Sequence, residues 1–181
     1  MAPHDFEGEI IPQNHLFAYL RRDGELGGSM DLAVDGSTEP AFFEYISPDS
    51  RRSIITRVHP LYFCQNPKPD KFAGLGSGPL ANGLKVEVVD ENGETLKDYL
   101  DGESIRRDSD WNLLAGIDQV TDYTGPIQRV AIRWTIEKSG HSLWLRQKCR
   151  FRITIQDDLS GMASRGPFRI MIQGSTYLKD D

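Results

Sequence analysis

Phe151-Arg152-Ile153-Thr154-Ile155-Gln156 and Phe168-Arg169-Ile170-Met171-Ile172-Gln173 are two copies of one pattern, Phe-Arg-Ile-x-Ile-Gln, separated by a polar link that contains Gly and Pro. Side chains of an extended chain point alternately to opposite faces. Phe151, Ile153 and Ile155 therefore share one face, as do Phe168, Ile170 and Ile172. Alternation with a period of two is the signature of a half-buried strand. The two copies read as neighbouring strands of one sandwich, with similar inward faces imposed by a shared core.

The same period recurs outward from these copies. Strands are expected at 16–20, 29–34, 41–46, 54–64, 84–89, 95–100, 130–137, 143–156 and 168–174. Asp35-Gly36, Asn92-Gly93 and Asp101-Gly102 supply residues that tolerate positive φ, and Asp90-Glu91-Asn92-Gly93 between two alternating runs predicts a hairpin. Helix signals are few; the best runs from Ser109 to Ile117, capped by Asp108 or Ser109, and would carry Trp111, Leu113 and Leu114 inward. The fold class expected from this spacing is all-β, an antiparallel sandwich or barrel with one or two short helical turns. It divides into an extended N-terminal arm (1–14), a single sandwich domain (15–178) with a long loop at 65–83, and an acidic tail (179–181).

At 181 residues one domain can bury about 70 per cent of its unfolded surface without metal or disulfide staples. No apolar run approaches the roughly 20 residues of a membrane helix, and no secretory signal pattern opens the sequence. A net charge of −6 opposes attraction to nucleic acid, so neither a membrane nor a direct nucleic-acid partner is expected. Cys64 and Cys149 form no C-x-x-C pair and read as reduced core cysteines, which fits folding in a reducing cytoplasm.

Motifs that carry chemistry are weak. Gly74-Leu75-Gly76-Ser77-Gly78 is followed by Pro79 and a strand, whereas a phosphate loop opens a helix. The histidines His4, His15, His59 and His141 lack metal-ligand spacing. Ser139, His141 and Asp157 compose a triad only on paper, without a Gly-x-Ser-x-Gly elbow. Asp90-Glu91-Asn92-Gly93-Glu94 and Asp157-Asp158 lack the spacing of a calcium loop. No catalytic residue, metal ligand or cofactor is assigned, and no enzyme is expected.

A face is more informative. Along 143–156 the odd positions are mostly apolar, whereas the even ones carry Trp144, Arg146, Lys148, Arg150 and Arg152; Arg129 and Arg133 on the preceding strand join them. Three readings stand side by side: a solvated outer face with cross-strand ion pairs, a docking surface for an acidic protein shell, or a site for a polyanion such as nucleic acid or an anionic glycan. On the second, Arg150→Glu leaves folding intact and weakens assembly. Further contact elements are the arm, with Phe6, Ile10 and Ile11, and the long loop, with Lys68, Lys71 and Phe72.

The ordered series Asn14-His15-x-x-Ala18-Tyr19-Leu20, Val34-Asp35-Gly36-Ser37, Pro40-x-x-Phe43-x-Tyr45 and Asn82-Gly83-Leu84-x-Val86 resembles virion structural proteins of tailed bacteriophages. It continues through Asp101-Gly102-x-x-Ile105, Asp110-Trp111, Arg133-Trp134-Thr135, Lys138-Ser139-Gly140, Asp157-Asp158-Leu159-Ser160-Gly161 and Ile172-Gln173-Gly174. The resemblance spans about residues 14 to 174 and includes no catalytic residue. It implies an antiparallel β-sandwich of jelly-roll-like type as a subunit of the particle. Within that class a head decoration or cement protein is expected, a homo-oligomer (a trimer by preference) bound to the major capsid protein or other virion proteins. Neck, tail or baseplate proteins share the ingredients. A carbohydrate-binding module for host attachment, built around Trp144, is the rival of a different class.

Overall fold

The computed structural model describes residues 14–64, 79–107, 110, 117–123, 128–135 and 143–178, with the backbone alone for 62–64, 117–123, 128–134 and 164–165. Eleven strands are present among them: β1 (Asn14–Tyr19), β2 (Arg21–Arg22), β3 (Ala41–Ile46), β4 (Arg51–Cys64), β5 (Leu84–Val89), β6 (Thr95–Asp98), β7 (Ile117–Tyr123), β8 (Gln128–Thr135), β9 (Leu143–Leu145), β10 (Arg150–Ile155) and β11 (Arg169–Leu178). A short 3-10 helix, Ser160–Arg165, is the helical turn. The strands form two antiparallel sheets. Sheet A has the order β1-β11-β4-β8-β7 with β9 beside β4, and sheet B the order β2-β3-β10-β5-β6. This is the expected all-β sandwich.

The repeated hexapeptides lie in different sheets, β10 at the centre of sheet B and β11 beside β4 in sheet A. They are not paired neighbours. Their inward faces nevertheless meet in one core: Phe151, Ile153, Ile155, Phe168, Ile170 and Ile172 are all fully buried and belong to a single hydrophobic cluster. Each such side chain contributes about 1.5–3 kcal/mol relative to exposure. Local alternation chose the face of each strand, and pairing over long sequence distance chose its sheet.

Three other expectations change. The stretch 29–34 forms no strand; it is a connector pinned by the Asp31 carboxylate, which accepts the amides of Ala33 (3.1 Å) and Phe168 (3.0 Å). The helix expected at 109–117 lies mostly outside the described residues, and its last position, Ile117, opens β7. Finally, the single strand expected over 143–156 is two. Lys148 adopts φ 60°, Cys149 N–H donates to the Arg146 carbonyl (3.2 Å), and the chain crosses from sheet A to sheet B at this corner. Gln147, the one polar residue among the odd positions, marks the break.

Polar joints tie the layers together. The Ser53 hydroxyl lies 3.0 Å from Tyr45 Oη and 2.8 Å from Ser47 Oγ, and Ser47 and Ser53 are fully buried. Beyond β10, the buried Asp157 carboxylate accepts the amides of Ala81 (3.0 Å), Asn82 (3.0 Å) and Gly83 (2.5 Å). One carboxylate thus fixes the entry to β5. Asp157→Ala leaves three amides without their acceptor and is expected to cost about 2–4 kcal/mol in denaturant unfolding; an unchanged midpoint would show that the joint is dispensable.

Tyr99 adds a pH dependence. Burial pushes its phenol up to about 12, above the ordinary value near 10. A group whose pKa is raised by folding contributes stability that is complete below its unfolded pKa and is lost as pH climbs through the folded one. Stability should therefore fall between about pH 10 and 12 in step with a tyrosinate absorbance change, and Tyr99→Phe should flatten that fall.

Candidate functional site

Cations that the sequence places in one row are divided by the corner at 146–149. Trp144 stays with sheet A, opposite Ile54 and 43% exposed. Arg146 and Lys148 sit exposed on the corner, where Lys148 Nζ lies 3.4 Å from a Glu91 carboxylate oxygen. Arg150 and Arg152 belong to β10 in sheet B. Arg129 and Arg133 are in β8 of sheet A, with side chains outside the described residues. Phe6, Ile10, Ile11, Lys68, Lys71 and Phe72, together with the arm, most of the 65–83 loop and the acidic tail, also lie outside them.

On sheet B the two arginines converge on Glu44 of β3. Register sets Arg152 opposite Glu44 on one side and Glu87 of β5 on the other, and Arg21 of β2 opposite Glu44. A row of alternating charge therefore crosses the outer face. Glu44 is 2% exposed, with the Asp23-Gly24 turn over it. Its carboxylate receives Arg152 Nε at 2.5 Å and Arg150 Nη1 at 3.3 Å. The Arg152 guanidinium also lies over the Phe42 ring at 4.5 Å. Here the ion-pair reading describes the geometry.

That geometry changes the expectation for Arg150→Glu, because a second carboxylate beside buried Glu44 replaces attraction with repulsion. Fold stability itself should drop. Glu44→Ala is expected to cost about 3 kcal/mol, the lower end of the range for a broken buried pair because Arg150 keeps access to water. Urea titration checks this; a change below about 0.5 kcal/mol would mean that the row is solvated in effect.

On the opposite side, the outer face of sheet A carries a different chemistry. β1, β4, β8, β9 and β11 hold six arginines and no Asp, Glu or Lys, although the chain has 27 Asp and Glu. β7 carries Asp118 and Asp122. Arg52 and Arg57 are exposed, and the face also bears Phe17, 59% exposed and edge-on to Tyr19 at 6.2 Å. Register places His15 and Phe17 of β1, Ser175 and Gln173 of β11, and Arg57 of β4 on this one surface. Where β11 shifts register at Gln173/Gly174, a groove of about 300 Å³ opens between His15, Phe17, Thr56, Arg57, Gln173 and Ser175, with Gly174 contributing no side chain.

The chemical candidates stand as follows. Cys149 is a free, buried thiol. His59 Nε2 lies 3.2 Å from Gln173 Oε1. Asp157, from the paper triad, is occupied by the three amides above, and Ser139 and His141 fall outside the described residues. The Asp90 carboxylate accepts the amides of Asn92 (2.8 Å) and Glu94 (2.9 Å); these bonds, the one to Glu94 foremost, hold its pKa below the usual value. It therefore closes its own turn. No group of three or more metal-ligating side chains occurs among the described residues.

The sequence points to Trp144, Arg129 and Arg133 but not to β4, the strand beside which both β8 and β9 lie. A signal existed: β4 holds Arg51, Arg52 and Arg57 with no carboxylate. Comparison with known proteins gave no match to a family model, to a curated protein or to a solved structure.

Proposed function

We propose that the chain is a non-enzymatic structural component of a tailed-bacteriophage particle. Within that class the reading is a head decoration or cement protein, a self-associating sandwich that binds the major capsid protein and clamps neighbouring shell subunits. Its place is then the virion, after synthesis in the bacterial cytoplasm.

One observation carries this reading: among the described residues, several that make the resemblance sit at joints that fix the body. Gly36 passes so close to the Ile155 carbonyl that a side chain has no room, and its amide donates to the Asp157 carbonyl at 3.0 Å. Asn82 and Gly83 supply amides to the Asp157 carboxylate. Asp158 accepts the amide of Ser160 (2.9 Å), Asp110 those of Arg106 (2.9 Å) and Arg107 (2.8 Å), and Gly174 marks the register shift between β11 and β4. A cement protein needs such a body, because a clamp that deforms under load transmits no stability to the shell.

Purified shells with and without the protein, heated or taken to low salt, test this. Rupture should be delayed in its presence; unchanged rupture counts against the cement role. A second reading has its own observation, the exposed Trp144, since aromatic faces stack on sugars. Binding on a glycan array that disappears in Trp144→Ala would favour host attachment instead.

A further inference from the structure

Opposite charge is concentrated on one face of this molecule, the outer side of sheet A, and along one edge, at β6 of sheet B. Five strands of sheet A hold six arginines and no Asp, Glu or Lys. Across the sandwich, the segment from Asp90 to Glu103, which includes edge strand β6, holds six carboxylates and one lysine. Glu94, Asp101 and Glu103 are exposed there, and Lys97 is folded over the Tyr99 ring at 4.6 Å. Between the carboxylates stands Leu96, 58% exposed on the edge of the sheet.

We infer that sheet A of one copy receives the acidic β6 edge of a second copy, in a head-to-tail contact. Both halves of the complementarity are on one chain: an arginine-aromatic face with a groove at Gly174, and an acidic ridge with an apolar centre. Arg, Tyr, Phe, Trp and Met are enriched at interfaces, which marks sheet A as the receiving face, and carboxylates set opposite its arginines make the two potentials complementary. Leu96 fills the groove beside Phe17, while Glu94 and Glu103 approach Arg57 and Arg52. A two-fold contact of sheet A with itself would bring arginines against arginines, so the association is heterologous and closes into a ring or continues into an array.

This inference stands on the two surfaces and not on the particle reading. A shell that ignores the protein would sink the latter and leave the former in place. Sedimentation velocity of the whole chain is the test. The wild type should associate in a concentration-dependent way, and weaken steeply as salt shortens the screening length toward about 3 Å at 1 M. Arg57→Glu should weaken association roughly tenfold or more, as should Glu94→Lys with Glu103→Lys; Phe17→Ser and Leu96→Ser are uncharged second variants, each checked for an unchanged circular dichroism spectrum. Glu25→Lys, on the opposite edge of sheet B, should leave it unchanged. Mixing Phe17→Ser with Leu96→Ser restores one intact contact and should give a heterodimer that grows no further. A wild type that stays monomeric, variants that fail to complement, or an equal loss in Glu25→Lys would each overturn the proposal.

Discussion

Gly174→Val is expected to abolish the cooperative unfolding transition, and even Gly174→Ala should cost on the order of 4 kcal/mol. The reason is steric. A Cβ built on Gly174 overlaps the carbonyl oxygen of Ile54 and comes within 3.0 Å of Ile55 Cα, and both are backbone atoms that cannot turn aside. The collision falls where β11 shifts register against β4, inside the ladder that runs from Arg169↔Leu61 to Leu178↔Arg51. Relief requires the two central strands of sheet A to part, which strains the bonds on both sides. Ser175→Val, one residue on and facing outward, should cost less than about 1 kcal/mol. Similar midpoints for the two variants would show that the close approach does not exist in solution.

Ile153→Asp has an effect of comparable size for a different reason. Ile153 is 0% exposed at the centre of β10, paired with Phe43 on one side and Val86 on the other. A carboxylate there has no cation and no amide to accept from, and an unpaired buried charge costs more than a domain of net stability about 5–15 kcal/mol can tolerate. The variant should be recovered unfolded or aggregated. Soluble protein with a native circular dichroism spectrum would contradict the inward facing of the first hexapeptide.

Both residues were visible in the sequence, but not equally. The inward face of Ile153 follows from period two alone, because every second residue of an extended chain shares a side whatever its partner strand. The limits of β3 at Ala41–Ile46 and β5 at Leu84–Val89 were legible for the same reason. Gly174 could be noted at the end of a motif, yet its role depends on the Ile54 carbonyl, brought close only by the pairing of β11 with β4. Equally, the two hexapeptides could be faced but not assigned to sheets.

The cation row shows the same limit. Alternation across 143–156 suggested one exposed stripe, and only the partner strands reveal that Arg150 and Arg152 meet Glu44 more than a hundred residues earlier. What survives from that stripe is Trp144, now on a sheet face with Phe17 and Arg57. These exposed aromatic and arginine side chains thus share one sheet and not one strand.

The proposed place of this sandwich is a phage particle. Quantifying the chain in particles purified to homogeneity from infected cells tests it most directly. A fixed copy number per particle is expected, set by the symmetry of the lattice or ring the chain occupies and retained through gradient purification. Chain that remains entirely with the soluble host fraction, and is absent from every particle, would contradict it.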